Sequence, residues 1–243
     1  MSEWYKDWFN TDYYHILYKN RNYDEAESFM RQLVKHLDLK KGTSVLDLAC
    51  GKGRHSIYLN KLGLDVLGID LSQRSIQLAR KYENETLSFK VHDMRKPLPG
   101  QTFDVIFNLF TSFGYFEDVQ DDQRVVDAMC QNLNPQGVVI IDYLNVYKQV
   151  QRLPVEEVKS FDDIHFNIYK YQEKDFIRKR IEFEDNKQNF SFEEKVRVLY
   201  LEDFNELLQH AGFIIEDVFG DYNLSTFDPE KSERLIIKAR LKD

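Results

Sequence analysis

Apolar residues change their spacing three times along this chain. Ala26, Phe29, Met30, Leu33, Val34 and Leu37 recur three to four positions apart, the period of an amphipathic helix, until Lys41-Gly42 breaks the pattern. Asp24 and Glu27 offer a capping pair at its start. From residue 44, short apolar runs alternate with helical patterns. SVLDLA reads as a strand, HSIYLNKL as a helix closed by Gly63, and DVLGI as a second strand; Ser72 then caps a helix running to about Glu83. LSFKV and FDVIFNLF supply the third and fourth strands. A helix from about Val119 to Leu133 stops at the Asn-Pro-Gln-Gly turn ending in Gly137, and VVIIDYL is the fifth strand. The first, fourth and fifth strands are almost continuously apolar, as expected where helices cover both faces of a parallel sheet. This alternation predicts an α/β fold, a Rossmann-like doubly wound sheet with right-handed crossovers.

After residue 146 the alternation stops. Residues 164–172, 176–184 and 189–200 read as three strands joined by short polar turns, an antiparallel meander. LEDFNELLQHA then forms a helix ended by Gly212, and FIIEDVF and RLIIKARL close the chain as strands. No repeat, low-complexity tract or linker rich in Pro, Gly or Ser divides the sequence. The organisation expected is one domain over 1–243. Within it, 1–42 form an N-terminal helical lid, 43–146 a cofactor-binding core, 147–200 a β-rich cover, and 201–243 the closing helix and strands.

Composition narrows what such a fold does. Lys and Arg number 33 against 41 Asp and Glu, a formal net charge of −8, which disfavours a protein living on nucleic acid through phosphate neutralisation. The insertion, with ten basic and eleven acidic residues over 151–200, is no basic arm. Cys50 and Cys130 lie far apart without CxxC or CxxH pairing, the usage of a reducing compartment and not of a zinc site. The N-terminus lacks a signal-peptide pattern, and no apolar run approaches the ~18–20 residues that span a bilayer. A soluble, cytoplasmic protein is expected, with no membrane, metal or nucleic-acid partner and its oligomeric state open. A chain this long buries roughly 70–75% of its unfolded surface and needs no disulfide or metal staple.

The candidate chemistry gathers around SVLDLACGKGRHSIYL, a strand entering a small-residue loop and then a helix. Small residues let a ligand approach the backbone, and a helix N-terminus adds a positive field. A dinucleotide site wants G-x-G-x-x-G, but Ser56 stands at the third position. Asp47, inside the strand, would repel a diphosphate and attract an ammonium or sulfonium; alternatively it only accepts from N–H groups of the loop. Asp70 falls 19 residues after Gly51, close to where an acid meets a ribose diol in such sheets; alternatively it merely precedes the cap Ser72. Asp93 follows the third strand in VHDMRKPLP and suits an exocyclic adenine amine with Met94 on the ring, or else a turn before Pro97. The fourth strand ends at Asn108-Leu109, followed by Ser112, Phe113 and Gly114. All four pieces end on the carboxyl edge, where these sheets bind ligands.

Taken in this order, D47-L-A-C-G51-x-G53, G-I-D70-L-S, H-D93-M and F-D-V-I-F-N108 resemble the class I S-adenosylmethionine-dependent methyltransferases, most strongly over 43–145. The closing helix and two strands are similar to that family too, whose seven-stranded sheet has an antiparallel last strand. Ala49 departs from the pattern by standing where the first glycine is usual. The resemblance implies S-adenosyl-L-methionine as cofactor. It places Ala49, Cys50 and Gly51 along the methionine portion, Asp47 near its amino group and Asn108 at the methionine end. Asp70 would hold the ribose hydroxyls, Leu71 would flank the adenine, and Asp93 and Met94 would address it.

The stretch D12-Y-Y-H-I-L-Y-K-N-R-N-Y-D-E-A resembles lids of small-molecule methyltransferases, notably sugar-amine and glycine N-methyltransferases. It implies that Tyr14, Tyr18 and Arg21 close over the cofactor, with the Arg21 fork on its carboxylate. An amphipathic helix with a solvated arginine is the plainer reading. Tyr18, Tyr143, Asn145 and Arg197 are candidates for the acceptor pocket; Arg197 either meets an acidic acceptor or pairs with a glutamate across the meander. His15, Asp142, Tyr143 and Asn145 are placed to act as a base, and none is singled out; His55 reads as structural. The expected function is methyl transfer to an N or O nucleophile of a small molecule. Its rivals are a non-catalytic cofactor-binding or interaction protein, an RNA methyltransferase, and a nicotinamide oxidoreductase, which Asp47 and the missing third glycine disfavour.

Overall fold

A computed structural model of the protein describes residues 4–19, 23–161 and 163–242. The chain opens with α1 (Trp4–Phe9), α2 (Asp12–Leu17) and α3 (Tyr23–His36). The strand–helix alternation follows as β1 (Ser44–Leu48), α4 (Arg54–Lys61), β2 (Asp65–Asp70), α5 (Gln73–Ala79), β3 (Leu87–Val91), β4 (Phe103–Asn108), α6 (Val119–Gln131) and β5 (Leu133–Leu144). A 3-10 turn at Arg80–Tyr82 ends α5 earlier than its sequence pattern suggests. After the insertion come α8 (Leu201–His210), β10 (Phe213–Phe219) and β11 (Arg234–Leu241).

Seven strands form one sheet in the order β10-β11-β5-β4-β1-β2-β3. The five from β5 to β3 are parallel, and β11 runs antiparallel to both of its neighbours. The alternation of side chains explains the continuously apolar runs. Val45, Val105, Phe107, Ile140 and Ile236 pack on one face against Phe29, Met30 and Leu33 of α3. Leu46, Leu48, Ile106, Ile141 and Ile237 pack on the other face with Val125 and Val126 of α6 and Phe204 of α8. Each such side chain contributes roughly 1.5–3 kcal/mol when fully buried, so both helical layers are held firmly to the sheet. Strand order reverses at β1, between β4 and β2, and the crevice at its carboxyl end is where such sheets take ligands.

The insertion holds α7 (Val146–Gln151) and a second antiparallel sheet, β6 (Val155–Phe161), β7 (Ile164–Glu173), β8 (Phe176–Asp185) and β9 (Gln188–Arg197), paired in that order. It has four strands where the sequence pattern shows three. VEEVKSF escapes notice because three of its seven residues are charged, as suits an edge strand that must not recruit another chain. Phe166, Ile168, Ile181 and Phe183 on the covered face pack with Trp8 of α1 and Leu17 of α2. The N-terminal helices therefore share a core with the insertion. No helix among the described residues is long and apolar enough to cross a membrane.

Candidate functional site

The loop after β1 is shaped by three left-handed residues, Ala49 (φ 58°), Gly51 (φ 57°) and Gly53 (φ 79°). Glycine adopts this region freely, whereas Ala49 pays roughly 1–2 kcal/mol for it. Three bonds hold the turn: Cys50 N–H donates to Ile69 O at 2.9 Å, Gly53 N–H to Cys50 O at 2.9 Å, and Gly51 N–H to Asp70 Oδ2 at 2.9 Å. A Cβ on Gly51 would meet nothing within 4 Å, but one on Gly53 would strike the Phe89 ring at 2.6 Å. Gly51 thus serves conformation beside open space, and Gly53 serves packing beneath it.

Asp70 accepts from Gly51 N–H and, at 2.7 Å, from Ser72 N–H, while Ser72 caps α5 by accepting from Ser75 N–H at 3.1 Å. Both readings of Asp70 therefore hold together, since it braces the cap and faces the cavity. Burial raises its pKa, and the two N–H donors oppose the rise. Around it lie a chamber of about 330 Å³ and a slot of about 70 Å³, which share Phe9, Ala49, Asp70, Ser112 and Tyr115. The slot is walled by Tyr5, Leu71, Met94 and Phe116, with Asp93 and His92 supplying polarity. Cys50, Gly51 and Leu109 line the chamber with Tyr14, His15 and Tyr18 of the α2 segment, and Lys19, Lys52, Arg54 and His55 add its basic groups.

Asp93 is chelated by the Arg95 guanidinium at 2.7, 3.0 and 3.1 Å. Burial pushes its pKa up, but the bonds and charge of Arg95 outweigh that and hold the carboxyl below its ordinary range. Arg95 also reaches Asp121 at 2.8 Å and lies over the Phe116 ring, so the slot's acceptor edge is rigid.

Asp47 lines neither lobe. It is buried under the loop and accepts from the Ser56 hydroxyl at 2.5 Å. Burial drives its pKa to about 7, with Ser56 opposing and Asp70 adding. The two sequence oddities, an aspartate before the loop and a serine where a third glycine belongs, are one interaction. Asn108 is also fully buried, one residue before the chamber-lining Leu109; its Nδ2 reaches Leu48 O at 3.5 Å and its Oδ1 has no partner among the described residues.

Three acceptor-pocket candidates are corrected. The fully buried Tyr143 packs on Phe204 and donates to Arg197 O at 2.5 Å, in the core below the cavity. Asn145, equally buried, donates to Pro229 O and Ser232 O at 2.9 and 2.8 Å, tying down the loop before β11. Arg197 lines neither lobe and does not pair with a glutamate across the meander: it pairs with the buried Asp122 of α6 at 2.9 Å and donates to Phe116 O and Glu117 O. Tyr143 and Asn145 also drop out as bases. So does Asp142, which is ion-paired with Arg234 at 2.7 Å and accepts from Phe110 N–H at 2.8 Å. That clamp sustains two consecutive left-handed residues, Phe110 (φ 56°) and Thr111 (φ 58°), and Arg234 adds a bond to Thr111 Oγ1 at 2.9 Å. Phe110 in turn stacks on His55 at 4.7 Å, so His55 is both structural and part of the chamber wall.

Of the lid residues, Tyr14 and Tyr18 line the chamber, and Arg21 lies outside the described residues. Phe9 and Tyr115, which touch both lobes, went unnoticed in the sequence; an aromatic run such as WYKDWF is also what ordinary core packing looks like. Among the described residues, no group of three or more His, Cys, Asp or Glu is placed to hold a metal ion.

The donors and acceptors fit S-adenosylmethionine. Asp70 spends two of its lone pairs on N–H groups and keeps others for a diol, the slot accepts a flat ring beside Asp93, and Asn108 Oδ1 is an orphaned acceptor at the end of β4. A diphosphate on this loop would instead lie against Asp70.

Comparison with known proteins agrees with this fit. Residues 39–210 match a family model described as a methyltransferase domain. The dTDP-3-amino-3,4,6-trideoxy-alpha-D-glucopyranose N,N-dimethyltransferase of Streptomyces venezuelae is 30% identical over 135 residues, covering 55% of this chain and 56% of that protein. The glycine/sarcosine N-methyltransferase of Halorhodospira halochloris is 26% identical over 226 residues, covering 88% and 80%. In fold, the chain is similar to an S-adenosylmethionine-dependent methyltransferase from Clostridium acetobutylicum, with a TM-score of 0.80 at 22% identity, covering 96% of this chain and 97% of that one.

Proposed function

The chain belongs to the methyltransferase-domain family, as an S-adenosylmethionine-dependent enzyme of class I, and from that premise we propose that it methylates the amine nitrogen of a small molecule. The observation that carries this reading is the pair of lobes meeting at Asp70, one slot-like and apolar, the other a basic chamber roofed by α2. In this arrangement Asp70 holds the ribose, Leu71 and Met94 sandwich the adenine beside Asp93, and Ala49, Cys50, Gly51 and Asn108 border the methionine end. When bound, S-adenosylmethionine supplies an electrophilic methyl group on a sulfonium.

The acceptor occupies the rest of the chamber, under Tyr14, His15 and Tyr18. A neutral amine already carries its lone pair, so the chain's task is to hold nitrogen in line and keep water out. Asp142, Tyr143 and Asn145 are engaged elsewhere, and His55 Nε2 accepts from Arg54 at 3.0 Å, so among the histidines lining the chamber His15 of α2 is the one under which the acceptor nitrogen would lose its proton. N-methylation is supported by relatives named for that reaction on a sugar amine and on glycine. A roof contributed by the N-terminal helices, and a net charge of −8, favour a small acceptor over RNA. Two free cysteines accord with work in the cytoplasm.

The test is incubation with methyl-labelled S-adenosylmethionine and, in parallel, a pool of small amines and total RNA. Label on the nitrogen of a small amine is the expected outcome. Label on RNA, on oxygen, or on nothing despite cofactor binding contradicts the proposal.

A further inference from the structure

Phe9, Tyr14 and Tyr18 line the chamber from the N-terminal helices. The Tyr14 ring stands among its neighbours, 4.8 Å from Phe9, 4.9 Å from Tyr18 and 5.7 Å, edge-on, from the buried Trp8. Its orientation is set by those rings.

Two of them are held by one carboxylate. Glu194 Oε1, on β9 of the insertion, accepts from Trp8 Nε1–H and from the Tyr18 hydroxyl, each at 2.7 Å, so two rings that touch Tyr14 are pinned to a single atom. Lys179 of β8 completes the arrangement. Its Nζ lies 3.3 Å from Glu194 Oε2 and donates to the Tyr18 hydroxyl, whose one proton is directed to the carboxylate. The Lys179 and Glu194 side chains are only 13% and 16% exposed, and a hydrogen bond to an ionised group shielded from water holds its partner more firmly than a neutral one.

Other ties of the roof end elsewhere. Tyr13 donates to Asp185 at 2.8 Å, Asn10 accepts from Ser72 at 2.7 Å, and Asp12 pairs with Arg74, but Tyr13, Asn10 and Asp12 line neither lobe. Glu194 lines neither lobe itself, so it reaches a ligand through Tyr18 and Tyr14.

We propose that Glu194 is a positioning residue of the cofactor site: from the far side of the roof it fixes the Tyr14 and Tyr18 rings over the methionine end, so that S-adenosylmethionine meets a roof already in place. A ligand that meets ordered side chains gives up less entropy on binding, and a roof left loose lowers affinity. The assignment rests on the cofactor placement proposed above, and not on which acceptor the chamber takes.

The test is calorimetric titration of S-adenosylhomocysteine into the full chain, as wild type and as Glu194→Ala, Glu194→Gln, Asp185→Ala and Tyr18→Phe. Gln keeps an oxygen for both donors. Asp185→Ala cuts a tie of similar reach, 172 residues against 176, that ends on a side chain outside the chamber. The result expected is binding about tenfold weaker in Glu194→Ala and about threefold weaker in Tyr18→Phe, which keeps the ring but releases it from the carboxylate. Affinity should recover to within about twofold of wild type in Glu194→Gln and hold there in Asp185→Ala. Equal affinity of Glu194→Ala and wild type, a matching loss in Asp185→Ala, or no recovery in Glu194→Gln overturns the assignment. Should Glu194→Ala not fold, Tyr18→Phe decides, and its unchanged affinity overturns it. Failure of the cofactor reading shows separately, as no S-adenosylhomocysteine binding by the wild-type protein.

Discussion

The carboxyl edge of the large sheet and the roof above it are wired on different length scales. At the edge, Ser56 donates to Asp47 across nine residues and Gly51 to Asp70 across 19. In the roof, Trp8 donates to Glu194 at 2.7 Å across 186 residues, and Tyr18 donates to the same carboxylate at 2.7 and 2.8 Å across 176. Lys179 caps that cluster by donating to the Tyr18 hydroxyl, and Tyr13 donates to Asp185 at 2.8 Å. A seat assembled from near neighbours is carried intact by a short motif. A roof assembled from the two distant segments of the chain can change its lining without disturbing the seat, which is how one cofactor site comes to serve many acceptors.

Substitutions separate the two regions, starting with the bond that fastens the meander to the core. Arg197→Ala leaves Asp122 buried without its partner, a loss of about 3–5 kcal/mol that the shifted midpoint of denaturant unfolding will report. An unchanged midpoint with lost turnover would instead put Arg197 on the acceptor. Next comes the carboxyl under the loop. Asp47 titrates at about 7 in the fold against 3.8 in a solvated chain, because burial penalises its charge. Below pH 4 both states hold the proton; between 4 and 7 only the folded state does, so this group's contribution to stability falls as pH rises, by up to a few kcal/mol. Asp47→Asn therefore gains stability relative to wild type through that window, and parallel unfolding curves at pH 4 and pH 8 contradict the assignment.

Asp70→Ala is expected to weaken S-adenosylmethionine binding by about 1–3 kcal/mol, read by calorimetry. Unchanged affinity removes Asp70 from the site. The smallest effect belongs to Tyr18→Phe, which deletes the hydroxyl shared by Glu194 and Lys179 at a cost of about 1 kcal/mol. Hydrogen exchange should quicken in α2 and β8 while β1 and β2 stay protected. Loosening of all four elements alike would erase the distinction between seat and roof.

The same contrast explains what could be read from residue order. The edge was legible because Gly51, Asp70, Asp93 and Asn108 each sit at the end of a strand whose apolar run announces it, and strand ends of a doubly wound sheet converge. Residues leaving β5 satisfied that rule as well, yet Asp142, Tyr143 and Asn145 are all consumed internally, by Arg234, by the carbonyl of Arg197 and by the carbonyls of Pro229 and Ser232. Their partners lie on β9, on β11 and in the loop before it, 54 to 92 residues away, and no local pattern encodes such a meeting. Arg197 shows the same limit. Its position on an alternating strand suggested a partner within the meander, while the charge it neutralises is on a helix of the other layer. The missed strand β6 failed for a different reason, since an exposed edge is charged like a loop.

A crystal structure of the protein with S-adenosylhomocysteine tests the central claim most directly. The account predicts both ribose hydroxyls within hydrogen-bond reach of Asp70, with the adenine in the slot between Leu71 and Met94 and the thioether facing the chamber under Tyr14 and Tyr18. A nucleoside lodged in another cleft, with the Asp70 carboxylate still bonded only to the N–H groups of Gly51 and Ser72, would contradict it.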